Sequence, residues 1–273
     1  MKFWKLSNNE LSHLESPLTD FDPITQQLPQ GLYTTFRTFA DRARVLGLNE
    51  HLDRFYLPAK AMQIKLIARR DLRLRLADIL RDGAGEMRVR LILDTTQDKG
   101  AFYILTSPFA PLPESVYQNG VKVITSEVER RNPILKQTAF IKESSGERRV
   151  IGADVFEILL THQGLIREGM TSNFYGVTDR IIVTAARGIL RGVTRSVVID
   201  QAHRARIMIR YRGVRLSDIP TLDEAFISSS SRGIVPVIQI DENKIGAGVP
   251  GSMTEKLMKA YADNVSNLAE PVV

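Results

Sequence analysis

Apolar and polar positions along the chain alternate in a way that predicts short strands mixed with helices. Gly31 to Phe39 sets Tyr and Phe against Thr, a strand signature. Arg44-Val45-Leu46 reads as a second short strand, and Gly47-Leu48-Asn49 turns into a helix over Glu50 to Phe55. Residues 71–82 read as a further helix, ended by Asp82-Gly83-Ala84-Gly85. Met87 to Leu93 and Ala101 to Thr106 are strands around the polar turn Thr95 to Gly100. Before all of these, the first ~30 residues read as polar and irregular.

Ser107-Pro108-Phe109-Ala110-Pro111-Leu112-Pro113 has three prolines within six residues, a stiff and non-regular stretch. It divides the expected organisation into a small domain over 1–106, a proline-rich linker over 107–118 and a larger domain over 119–273. In the second part, Val121 to Val128 is strand-like and 136–147 has helical character. Val155 to Leu160 and Asn173 to Val177 flank a turn at Gly164, and Ile181 to Thr184 follows as a strand. Thr194 to Arg206 is an expected helix with Val197, Val198, Ala202 and Ala205 as its apolar stripe. Ala225 to Ser228 and Ile234 to Ile240 are strands, and Met253 to Asn264 is a closing helix. No βαβ rhythm emerges, so the expectation is α+β.

Composition narrows the chemistry. The chain of 273 residues has no cysteine, which removes disulfides, thiolate metal sites and a cysteine nucleophile. The four histidines are scattered without metal-ligand spacing, so no metal is expected. The formal charge of +6 arises from 37 basic residues interspersed with 31 acidic ones. The densest basic stretches, Arg69 to Arg75 and Arg204 to Arg215, are interrupted by apolar residues and read as solvated faces, not a nucleic-acid surface. No apolar stretch approaches the ~20 residues that span a bilayer, and Met1-Lys2-Phe3-Trp4-Lys5 lacks a signal peptide's apolar core. A cytoplasmic protein is expected.

The chemistry-bearing segments come in order: Lys136, Glu168-Gly169-Met170-Thr171-Ser172-Asn173-Phe174, then Arg191-Gly192-Val193-Thr194-Arg195. A lysine that makes an imine, a carboxylate beside a protonated pyridine nitrogen and a Gly/Thr helix start that receives phosphate are the parts that hold pyridoxal phosphate. Lys142 is the rival to Lys136. Ser228 to Ser231 offers four hydroxyls after a strand, either as a polar loop or as a phosphate-facing turn. Arg54 reads as a helix-face arginine or a phosphate clamp, and Arg90 as a strand arginine that faces either solvent or a substrate carboxylate.

Taken in order, these segments resemble the class IV, fold-type IV pyridoxal-phosphate enzymes, a family that includes the branched-chain and D-amino-acid aminotransferases and aminodeoxychorismate lyase. Asp223-Glu224-Ala225-Phe226-Ile227-Ser228, Ile234-Val235-Pro236-Val237, Pro250-Gly251-Ser252-Met253-Thr254 and the His51-x-x-Arg54 helix add to the resemblance. It implies a two-domain fold with a small N-terminal α/β domain, a larger β-rich C-terminal domain and the cofactor in the cleft between them. It implies Lys136 as the Schiff-base lysine, Glu168 as the pyridine partner, and Arg54, Gly192, Val193, Thr194, Ser229 and Ser230 around the phosphate. Arg90, Tyr33 and Thr35 fall on the substrate side. A homodimer acting on an amino acid and a 2-oxo acid is the implied assembly and activity. Thr34-Thr35, where aminotransferases often carry an acid, looks more like the lyases, so a lyase is the second reading. A basic, non-catalytic binding protein on a degenerate enzyme scaffold is the third.

Overall fold

The computed structural model describes residues 1–128, 130, 132–152 and 154–273. The chain divides into two compact units. The first takes Met1–Ala110, Leu135–Glu143 and Val265–Val273; the second takes Pro111–Ile134 and Ser144–Asn264.

The first unit is a seven-stranded sheet in the order Ala269–Pro271, Arg44–Leu46, Gly31–Phe39, Met87–Asp94, Phe102–Pro108, Lys2–Ser7, Glu10–Leu14. Every neighbouring pair is antiparallel. Alternation along Gly31–Phe39 sorts its side chains between two faces. Leu32 and Phe36 join Leu48, Leu52 and Phe55 of helix Leu48–Ala61 and Leu72, Leu76 and Ile79 of helix Arg69–Arg81. Tyr33 joins Phe3, Phe21, Ile24 and Ile141 in a separate cluster. The Arg69 to Arg75 stretch is thus part of a helix with one buried stripe, Leu72, Leu76, Ile79 and Leu80.

The N-terminal segment departs from the expected irregular reading. Lys2–Ser7 and Glu10–Leu14 form a hairpin, and Phe21–Gln27 is a helix. Ser7 faces Glu10 across a two-residue turn, Asn8-Asn9, in which both residues have positive φ. Asparagine tolerates that conformation and suits the tight turn whose twist matches the strands. Phe3, Trp4 and Leu6 are the buried residues of the first strand.

The second unit carries a ten-stranded mixed sheet. Its main path runs Ile209–Arg210, Ile181–Val183, Asn173–Thr178, Glu224–Ser229, Gly233–Ile240, Val121–Ser126, Glu157–His162, Leu165–Gly169, Val214–Arg215. The strand that returns from the Gly164 turn is Leu165–Gly169, not Asn173–Thr178, which pairs with Ile181–Val183 and Glu224–Ser229. Gln163-Gly164 and Asp179-Arg180 are both two-residue turns with positive φ. Within the proline-rich stretch, Glu114–Asn119 is helical, and Leu112, Val116 and Tyr117 pack on the second core. The expected helix over 136–147 shortens to Ala139–Glu143, with a tighter turn at Glu147–Val150.

Phe55 is fully buried and meets Phe102 edge-on at 5.2 Å between centroids. Phe55→Ala is expected to destabilise the first unit by about 3–5 kcal/mol. Urea unfolding checks this; a loss under about 1 kcal/mol would show that the helix–sheet contact is not central.

Candidate active site

Lys136 is fixed by its backbone. Its carbonyl accepts from Tyr33 N–H at 2.8 Å, and Thr138 N–H donates to the Gly31 carbonyl at 2.9 Å. The Thr138 hydroxyl accepts from Gly31 N–H at 2.9 Å. This short bridge carries Leu135–Glu143 into the first unit and leaves the Lys136 amine 4.8 Å from the Tyr33 ring centre. Gly31 has no room for a side chain, because a Cβ there would run into the Leu93 carbonyl. Lys142, the rival, lies in the last turn of the short helix Ala139–Glu143.

Arg90 lies on an interior strand, between Gly31–Phe39 and Phe102–Pro108, and is buried. Its guanidinium carbon is 5.0 Å from the same Tyr33 ring. Nε donates to Thr35 Oγ1 at 3.0 Å; Nη1 donates to Asp22 Oδ1 at 2.6 Å and Thr25 Oγ1 at 3.0 Å. Tyr33, Thr35, Arg90 and Lys136 therefore gather at one place in the first unit.

Arg54 joins a second grouping there. Arg54 Nη1 donates to the Thr34 hydroxyl at 3.2 Å, and Thr34 shares a 2.6 Å bond with His51 Nδ1. His51 and Arg54 are one helical turn apart on Leu48–Ala61, so both reach the Thr34 side of the sheet. His51 is fully buried, and burial, then the charges of Arg54 and Lys136, hold it well below the usual histidine range. The sequence reading treats Thr34 as a departure; here it bridges a neutral histidine and the candidate phosphate arginine. The i, i+3 spacing of His51 and Arg54 was the available signal.

In the second unit, Glu168 is the penultimate residue of strand Leu165–Gly169 and is buried. Its Oε2 accepts from Leu190 N–H at 2.9 Å, and its Oε1 lies 3.3 Å from Arg130 Nε. Arg130, itself buried, also donates to the Met170 carbonyl at 3.0 Å. The Leu190 carbonyl accepts from Asn173 Nδ2 at 2.9 Å. A Cβ at Gly192 would collide with Asn173 Oδ1. One turn thus links Glu168, Leu190, Asn173 and Gly192. Glu168 also borders a cavity of about 250 Å³ with Arg130, His162, Arg167 and Arg187 on its walls.

Gly192 precedes helix Val193–Arg204, whose first turn contains no acidic residue. The first backbone N–H groups of a helix have no acceptor within it and draw anions. Thr194 Oγ1 is buried there without a hydrogen-bond partner. An orphaned hydroxyl at a helix start free of acid fits a phosphate group. Ser229 ends strand Glu224–Ser229, and its hydroxyl accepts from Arg232 Nε at 3.1 Å. Ser230 follows it in the turn, half-buried. Arg232 also reaches Glu157 at 2.9 Å, and the buried Glu157 accepts from Thr171 and Ser172 at 2.6 and 3.2 Å. Glu157, Arg130 and Arg232 escaped the sequence reading because only the fold makes them neighbours. Among the described residues no cluster of His, Cys, Asp and Glu has the arrangement of a metal site. No helix among them is long and apolar enough to cross a membrane.

The family model for amino-transferase class IV matches residues 31–240. The chain belongs to that family. It is 27% identical to the D-alanine aminotransferase of Bacillus licheniformis over 95% of this chain and 96% of that one. It is 30% identical to a branched-chain-amino-acid aminotransferase of Pseudomonas aeruginosa over 59% and 55% of the two chains. The crystal structure of the T.th. branched-chain amino acid aminotransferase with pyridoxamine 5'-phosphate superposes with a TM-score of 0.82 at 20% identity. That superposition covers 100% of this chain and 98% of the other. The expected family, the α+β fold-type IV architecture, the aminotransferase activity class and pyridoxal phosphate as cofactor are borne out.

The His51 environment has a pH signature. Unfolded, His51 takes a proton near its ordinary value of 6.5; folded, it resists protonation. The unfolded state therefore binds more protons below that pH, and the stability due to the neutral ring is lost as pH falls through it. Each unit of pH below 6.5 is expected to cost up to about 1.4 kcal/mol. His51→Gln should flatten that dependence between about pH 6.5 and 5 in urea titrations; an unchanged slope would contradict it.

Proposed function

We propose that this chain moves an amino group between an amino acid and a 2-oxo acid, with Lys136 holding pyridoxal phosphate and Glu168 facing its pyridine nitrogen. When bound, the cofactor supplies an electron sink for bonds broken at the amino-acid Cα. The observation that carries the assignment is Glu168, a buried carboxylate oriented by the Leu190 N–H and Arg130. Such a carboxylate favours a proton on a ring nitrogen set against it.

Lys136 then takes the proton from the substrate Cα and returns it during transfer, acting as general base and acid. Thr194 Oγ1 and the N–H groups that follow Gly192, with Val193, would hold phosphate oxygens, and Ser229, Ser230 and Arg54 would add donors. Tyr33, Thr35 and Arg90 form the substrate side beside Lys136. The reading includes a homodimer, following the family resemblance, and a cytoplasmic location, following the sequence reading. Elimination of the aminodeoxychorismate-lyase type is the second reading, favoured by Thr34-Thr35. Pyruvate release from aminodeoxychorismate without an amino acceptor would select it.

Lys136→Ala is expected to lower amino transfer by at least about a hundredfold, the range for loss of a general acid–base group. Product formation from paired amino and oxo acids measures it. An unchanged rate would sink the lysine assignment.

A further inference from the structure

Helix Phe21–Gln27 presents Asp22 and Thr25, three residues apart and hence on one helix face, to the guanidinium of Arg90. Arginine has five N–H donors. Both hydrogens of Nη1 are committed, one to Asp22 at 2.6 Å and one to Thr25 at 3.0 Å. The Nε hydrogen is committed to Thr35 at 3.0 Å. Only Nη2 remains. A carboxylate is gripped firmly when two parallel N–H groups on two different nitrogens meet its two oxygens. With Nε and Nη1 both occupied, neither edge of the guanidinium offers that fork.

Charge points the same way. Arg90 has a side chain only 6% exposed, whereas that of Asp22 is 35% exposed. The buried cation is thus already neutralised by a carboxylate held at the rim. A second incoming carboxylate would meet a compensated pair at Arg90, not a lone cation. The location matters because the Arg90 guanidinium and the Lys136 amine both lie about 5 Å from the Tyr33 ring centre.

We propose that Asp22 occupies the seat at Arg90 that a second substrate carboxylate would take, and so restricts the enzyme to amino and oxo acids with uncharged side chains. This rests on the aminotransferase reading and on Tyr33 and Arg90 forming the substrate side. The helix acts as an internal competitor: rejection comes from a group already bound, not from a missing contact.

The test compares glutamate with norvaline as amino donor, each as both enantiomers, in the wild-type holoenzyme and in Asp22→Asn. The amide removes the charge and leaves only a weaker neutral acceptor on Nη1, which an incoming carboxylate can displace. The wild type is expected to favour norvaline. The variant is expected to raise kcat/KM for glutamate by roughly tenfold or more, the scale of one charged hydrogen bond, with norvaline changed by less than about twofold. Thr25→Val, which leaves Asp22 in place, should not move the ratio. Asp22→Ser replaces Asp22→Asn if the latter does not fold. A wild type that prefers glutamate, or a ratio unmoved by loss of the Asp22 charge, overturns the proposal.

Calorimetric binding of glutarate and pentanoate separates this proposal from the functional reading. If no amino acid serves as donor, amino transfer fails, yet roughly tenfold tighter glutarate binding to Asp22→Asn still supports the Asp22 seat. Equal glutarate binding by the two proteins refutes it.

Discussion

The backbone clip between Leu135–Glu143 and the start of strand Gly31–Phe39 is the constraint on which the first unit's chemistry depends. Four hydrogen bonds, Tyr33 N–H to Lys136 O, Thr138 N–H to Gly31 O, Gly31 N–H to Thr138 Oγ1 and the Thr138 hydroxyl to Gly31 O, join segments about a hundred residues apart in sequence. Closing so long a loop has an entropic cost, and the burial of Ile141 with Tyr33, Phe21 and Ile92 helps to offset it. Gly31 is required because the Leu93 carbonyl fills the space a Cβ would need. The consequence is that a flexible lysine side chain starts from a rigid main-chain position beside Tyr33. In the proposed reaction, precision at the Lys136 amine would come from such support.

The second unit solves a similar problem with a carboxylate. Glu168 is oriented by a main-chain N–H and by an arginine, which limits its freedom more than two mobile side chains would. The same turn continues through Leu190 and Gly192 into helix Val193–Arg204. A displacement at Asn173 would therefore reach both the carboxylate and the start of that helix. Buried polar groups are stable when partnered, and the Thr194 hydroxyl at the helix start is one of the buried side-chain groups without a hydrogen-bond partner.

Much of this was legible in the sequence where local pattern and local chemistry agree. The alternation of Gly31 to Phe39, the Gly164 turn and the Gly192-Val193-Thr194 helix start all lie within short windows, and each has its structural counterpart. The N-terminal hairpin was also within reach, because Asn8-Asn9 is a strong turn signal between two alternating segments. What periodicity cannot carry is partnership across the sheet. Arg90 read equally as surface or interior until its strand acquired neighbours on both sides. Asp22, Arg130 and Glu157 look like ordinary surface charges in sequence, and only register and burial show otherwise. The inclusion of Leu135–Glu143 and Val265–Val273 in the first unit depends on long-range pairing with Gly31–Tyr33 and Arg44–Leu46, which no local window contains.

The most direct measurement of the central assignment is borohydride reduction of the protein with pyridoxal phosphate, followed by peptide mapping. Borohydride makes a lysine–cofactor linkage permanent, so the labelled peptide names the lysine. Loss of the visible absorbance band and a single label on Lys136 are expected. Label on Lys142 or another lysine, or no band at all, would contradict the assignment.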